Sequence, residues 1–169
     1  MARFTITVTT CLWPVCIVVG SHTRETAHRA VATGVSAATD LPAGSAKGSL
    51  TFDGATAELK FAAAFVDQKD ERKPIVLVIS DQKLPVEKWE SEFDMMRDHT
   101  KWSGVVFFLD KDGKSFRSDV HMSGRQSSVS GIFELKIDNP PSKDLTGTAR
   151  ASADEKETKL DAAFHATLK

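Results

Sequence analysis

The chain has 169 residues, enough for one domain, with 41% hydrophobic and 27% charged residues and a formal net charge of −1. That balance is ordinary for a globular protein, and it excludes whole-molecule attraction to nucleic acid or to an anionic membrane. The aromatic set is ten Phe and three Trp, with no Tyr.

Residues 1–20, MARFTITVTTCLWPVCIVVG, carry one early charge, Arg3, and then an uncharged run from Phe4 to Val19. This is the pattern of a signal peptide or other export segment. It is short for a spanning helix and is interrupted by Pro14. Small-residue cleavage positions are Val18-Val19-Gly20 or Val35-Ser36-Ala37. Both cysteines, Cys11 and Cys16, fall in this segment. A processed chain would therefore lack disulfides, thiol catalysis and thiolate metal sites. Neither Cys follows the small residues of a lipoprotein site. Residues 21–46 are rich in Ala, Thr, Ser and Gly and read as a flexible spacer. Residues 47–169 read as a single β-rich domain, roughly 125 residues that can build a core without staples.

The first hairpin is signalled by Leu50 and Phe52, the Asp53-Gly54 turn, and a returning strand. Asp-Gly suits a tight turn with two positive φ angles. The returning strand is expected to place Ala57, Leu59, Phe61, Ala63 and Phe65 on one face. A polar loop, Asp67 to Lys73, leads to Pro74-Ile75-Val76-Leu77-Val78-Ile79. Its unbroken apolar run predicts a central strand covered on both faces.

A helix is expected over about 86–98. Pro85 suits a first helical position, and Val86, Trp89, Phe93 and Met96 form one apolar stripe opposite Glu87, Lys88, Glu90 and Asp94. The stripe is expected to pack on the sheet, with a ligand lid as the alternative. Strands resume at Val105–Leu109, followed by the turn Asp110-Lys111-Asp112-Gly113. Phe116, Ser118, Val120 and Met122 then alternate with Arg117, Asp119 and His121. Ser123 to Ser128 reads as a loop, and Gly131 to Ile137 as a strand. Two more follow, at Leu145–Ala151 and from Leu160 to Leu168. The last places Leu160, Ala162, Phe164, Ala166 and Leu168 inward. About eight strands with short turns predict a mainly β fold, an antiparallel meander forming a barrel or sandwich with one helix. The expected core uses Leu59, Phe61, Val76, Val78, Phe107, Leu135, Phe164 and Leu168.

The stretch 48–169 resembles a group of small exported bacterial β-domain proteins of unknown function. The resemblance is carried by Gly48-Ser49-Leu50-Thr51-Phe52-Asp53-Gly54 and by Val78-Ile79-Ser80-Asp81-Gln82-Lys83-Leu84-Pro85. Leu145-Thr146-Gly147-Thr148 and Phe164-His165-Ala166 extend it. It implies export and a β fold, and no activity. It also implies a His and a Tyr in the second strand where this chain has Phe61 and Ala63, so no role of that pair carries over.

No G-x-S-x-G elbow, phosphate-cradling Gly-Lys-Ser/Thr loop or H-E-x-x-H occurs. Asp110-Lys111-Asp112-Gly113 echoes a calcium loop but lacks the closing Glu and the flanking helices. His22 and His28 lie in the leader or spacer, and His99 follows the expected helix. Asp119 and His121, two apart on one strand face, are metal-ligand candidates, with His165 a third candidate from the last strand. The competing reading is solvated strand histidines, paired with Asp119. Trp89 and Trp102 suit sugar stacking or, preferably, core packing. No catalytic residue and no cofactor is identified. The expected function is an exported, non-catalytic β-domain, periplasmic or extracellular, with a binding or structural role toward an envelope or extracellular partner. Neither nucleic-acid binding nor membrane association of the mature domain is expected. The alternative is a small carrier with an apolar ligand in a barrel interior, and the third reading an enzyme of unidentified reaction.

Overall fold

In a computed structural model, the structure describes residues 40–97, 102–139, 141–152 and 157–169. The leader with its two Cys, most of the spacer, and His99 lie outside the described residues. The strands are β1 (Ser45–Phe52), β2 (Ala55–Val66), β3 (Ile75–Ser80), β4 (Gly104–Leu109), β5 (Ser115–Met122), β6 (Arg125–Val129), β7 (Phe133–Ile137), β8 (Asp144–Ala151) and β9 (Lys159–Leu168). They form one nine-stranded sheet in the order β6-β5-β4-β3-β2-β1-β9-β8-β7, curled into a half-barrel. Neighbours in that order pair antiparallel, and a short parallel contact joins Ala63 and Ala64 of β2 to Thr167 and Leu168 of β9. No helix among the described residues is long and apolar enough to cross a membrane.

The Asp53-Gly54 turn forms as the sequence predicts, with φ of 50° and 76°. Gly54→Val is expected to cost about 1 kcal/mol or more, because a β-branched side chain fits badly at positive φ. An unchanged thermal melt would show that the turn tolerates it. Asp110 closes the β4–β5 turn, its Oδ1 accepting the N–H groups of Asp112 and Lys114 at 2.9 Å each. That carboxylate is thus held in a hairpin turn.

The sheet has an interior and an outer apolar cluster. The interior holds Leu50, Leu59, Leu77, Ile79, Phe107, Leu145, Leu160, Ala162, Phe164 and Ala166 among others, all buried. Phe107 of β4 meets Phe133 of β7 edge-on at 6.1 Å, so strands far apart in the sheet touch across the curl. The outer cluster gathers Phe65, Val76, Val78, Val106 and Phe108 beneath Val86, Trp89, Met95 and Trp102. This explains the unbroken apolar run of β3, which is buried on both faces. Alternate residues of β9, Leu160, Ala162, Phe164 and Ala166, face inward as expected, while Leu168 is half-buried.

Four expectations need correction. First, Arg125–Val129 is a strand and no loop, which makes nine strands among the described residues. Its sequence, RQSSV, has no apolar alternation to mark it. It exists because Ser123 and Gly124, at φ 52° and 74°, turn the chain back onto β5.

Second, residues 86–98 do not form one helix. Val86–Lys88 is a single 3-10 turn and α1 is Glu92–Met96, with extended residues at Trp89 and Ser91 between them. A continuous helix would give the Glu90 carbonyl to the Asp94 N–H. Here the Gln68 N–H takes that carbonyl at 2.9 Å, and Asp67 Oδ2 takes the Glu92 N–H at 2.8 Å. The 67–70 loop therefore breaks the helix. The break shifts the phase, so Val86, Trp89 and Met95 are buried while Phe93 is 62% exposed, with the Arg97 guanidinium 4.9 Å from its ring. Phe93→Ala is expected to change stability by less than about 1 kcal/mol in a denaturant titration, as for an exposed side chain. A loss near 3 kcal/mol would mean that Phe93 is packed after all.

Third, β2 does not keep one inward face. Ala57 and Leu59 point to the interior, but farther along Ala62 and Ala64 do, and Ala63 and Phe65 pack on the outer cluster. The change coincides with an irregular step opposite β1, where Gly48 pairs with Leu59 and Ser45 with Phe61. Phe61, expected in the core, is consequently on the outside and half-buried; Leu135 is also half-buried.

Fourth, Phe116 does not share the inward face of Val120 and Met122. The β4–β5 register shifts between Phe108 and Leu109, and Phe116 lies outside against Phe108 at 6.5 Å. β1 also starts at Ser45, one residue before the expected end of the spacer.

Candidate functional site

Among the described residues, the cover of the outer face is the 80–97 segment together with Trp102. Ser80 Oγ donates to the Gln82 carbonyl at 2.7 Å, the Asp81 N–H donates to the Ser103 carbonyl, and the Ser103 N–H returns to Asp81 Oδ1 at 3.0 Å. These bonds hold the start of the segment at the β3–β4 end of the sheet. Farther along, Arg117 pins it. The guanidinium gives two hydrogen bonds to Glu92 of α1, at 2.8 and 3.1 Å, and two to Asp119, one of them Nε to Oδ1 at 3.1 Å. It also stacks over Phe108, 4.3 Å from the ring centroid. Burial works against the Arg117 charge; the bonds to Asp119 and Glu92 outweigh it, so its pKa is raised.

Between this segment and the β2–β9 contact the cover stops, leaving a groove of about 410 Å³. Phe61, Ala63 and Val78 contribute its apolar floor from β2 and β3, and Leu84 and Val86 its wall. Lys83, Glu87 and Lys169 supply charge, and Lys169 Nζ lies 3.5 Å from Glu87 Oε2. The Glu87 carboxyl is held below its usual value, chiefly by its own backbone N–H, with Lys169 adding to the effect. The Gly44 carbonyl accepts the Ala62 N–H at 3.2 Å while the Gly44 N–H donates to His165 at 2.7 Å, fixing the approach to β1 along the groove. The volume falls in the range of small-ligand sites. The chemistry on offer is apolar contact with charge at the edge.

The three metal-ligand candidates separate. Asp119 and His121 do share one face of β5 and are fully buried. Asp119 is engaged by Arg117 and by Gln126 Nε2 at 3.0 Å, and His121 stacks on Trp102 with centroids 4.2 Å apart. His165 is on β9, with β4, β3, β2 and β1 between its strand and β5 in the sheet. Its Nδ1 is 2.8 Å from the Leu41 carbonyl oxygen, and its Nε2 3.7 Å from Asp144. Among the described residues no three His, Cys, Asp or Glu side chains group as metal ligands. Trp89 and Trp102 are buried, and Trp89 meets Phe65 edge-on at 5.9 Å, so neither presents a free face for sugar.

Sequence reasoning missed the groove. Its signal was indirect: a strand apolar on both faces needs a cover, and Leu84-Pro85-Val86 is too short to cover all of it. No family model, curated protein or solved structure matches the chain.

Proposed function

We propose that this chain is an exported, non-catalytic β-domain that binds a partner at the cell envelope or outside the cell, using the outer groove as its contact surface. The observation that carries this reading is the contrast between the two faces of the sheet. The interior is occupied by its own side chains, whereas the outer apolar cover ends in an open groove. The ionisable cluster of Arg117 with Asp119 and Glu92 holds a surface segment in place. At Phe61 and Ala63 the groove offers apolar contact where the resemblance implies His and Tyr. Export rests on the charge-poor run from Phe4 to Val19 and on a body without Cys.

The test is a photo-crosslinking amino acid placed at Ala63 on the groove floor and, as control, at exposed Thr56. A discrete adduct in the envelope fraction from Ala63, and none from Thr56, is the expected result. Equal labelling from both positions would overturn the groove as contact surface.

An apolar-ligand carrier is the second reading. It is favoured by a smaller opening of about 290 Å³ whose wall includes Phe52, Ala55, Val120 and Met122. These residues belong to, or pack against, the interior cluster.

A further inference from the structure

The curled sheet ends in two open edges, β6 and β7. The antiparallel order makes the two strands run the same way, and only residues 130–132 join them. Three residues cannot return the chain for parallel pairing, which needs a long crossover. Among the described residues, each edge therefore keeps a row of unpaired N–H and C=O groups, the usual template for strand addition.

The β7 edge has a definite register. The Ser152 N–H donates to the Ile132 carbonyl and the Asp138 N–H to that of Thr146. Together with the pairing of Phe133 with Ala151 through Ile137 with Gly147, this directs the backbone groups of the even-numbered residues to β8. Those of Phe133, Leu135 and Ile137 point to the open edge. The side chains of these three are half-buried at the rim of the interior cluster, while Glu134 and Lys136 are exposed.

We propose that β7 pairs antiparallel with β7 of a second copy of this chain, about a two-fold axis through Leu135. That register sets Phe133 opposite the second copy's Ile137 and Glu134 opposite its Lys136. Both Leu135 residues meet at the axis. Every pair is complementary. The hydrogen-bonding pairs are the odd-numbered residues, whose backbone groups are the free ones. Glu134 and Lys136 fall in the non-hydrogen-bonded positions, where opposing side chains lie closest. An isologous contact of this kind closes after two copies and does not propagate. The β6 edge lacks this property. Centred on Ser127, RQSSV would set Arg125 opposite Val129 and Gln126 opposite Ser128, with no charge pair.

A five-residue seam is small, so the dimer is a weak one, with a dissociation constant on the order of 10–100 μM. Sedimentation equilibrium of the full chain over a concentration series is the measurement. Lys136→Glu opposes Glu134 with a second Glu on both sides of the axis and should weaken dimerisation at least about tenfold. Glu134→Lys should do the same, with two Lys opposed. Mixing the two single variants restores opposite charges at all four positions and should yield a heterodimer, which a loss of folding in either variant would not produce. Far-ultraviolet circular dichroism of each variant checks its fold. A wild-type chain that stays monomeric throughout overturns the proposal, and would mean that the β4–β5 turn, which reaches the Ile137 side chain at Gly113, shields the edge. A dimer indifferent to both substitutions and to mixing overturns it as well.

Discussion

Replacing Arg117 by Ala is expected to lower stability by on the order of 3 kcal/mol, because it leaves the fully buried Asp119 carboxylate without its main counter-charge. Asp119 has no exposed surface, whereas the Arg117 side chain is 36% exposed. The loss therefore comes from the stranded acid more than from the missing cation. Water reaching the vacated space would soften it, which keeps the figure at the lower end for a broken buried pair. Removing both charges together should recover much of the loss, since an apolar pair avoids the desolvation penalty. Arg117→Leu with Asp119→Leu is then expected to be more stable than Arg117→Ala alone. Urea titration followed by Trp fluorescence reads both. The same variant should loosen the 86–97 segment, because Glu92 loses its two bonds as well. A single-variant loss below about 1 kcal/mol would mean that Gln126 alone can satisfy Asp119.

Gly48→Ala is the second large effect, expected at about 3 kcal/mol or more as overpacking against a backbone that has no rotamer to yield. A Cβ at this position would lie 2.1 Å from the Asp161 carbonyl oxygen and 2.5 Å from Ala162 Cα. β1 and β9 approach this closely because Gly48 pairs with Ala162 at the point where β2 changes its inward face. Gly54 is the comparison, for nothing lies within 4 Å of a Cβ built there. Its substitution costs backbone strain alone. Thermal melts in which the two alanine variants lose equal stability would contradict the close approach.

These two sites show what the sequence could and could not reveal. The Asp53-Gly54 turn, the doubly covered β3 and the inward alternation of β9 were legible, because each follows from a local rule of turn chemistry or period. The missed features were set by distant partners. The helix break at Trp89–Ser91 depends on Asp67 and Gln68, about two dozen residues earlier. β6 is polar up to its last residue, Val129, and takes its conformation from β5. The exchange of faces in β2 and the outward turn of Phe116 come from irregular pairing, which a strict two-residue period cannot express. The candidate site was legible only in part. Asp119 and His121 were correctly placed on one face, but Arg117, which decides what Asp119 does, was read only as a strand position. The groove arises where one segment fails to cover another, and no single motif encodes that.

Native mass spectrometry of the protein isolated from the envelope fraction of its host tests the account most directly. The prediction is a chain shortened at its N-terminus, without Cys11 and Cys16, and carrying no small molecule in its interior, where its own buried side chains lie. A full-length chain retaining Met1 and found only in the cytoplasm would contradict export. An apolar molecule retained at one per chain would contradict the filled interior and establish the carrier in its place.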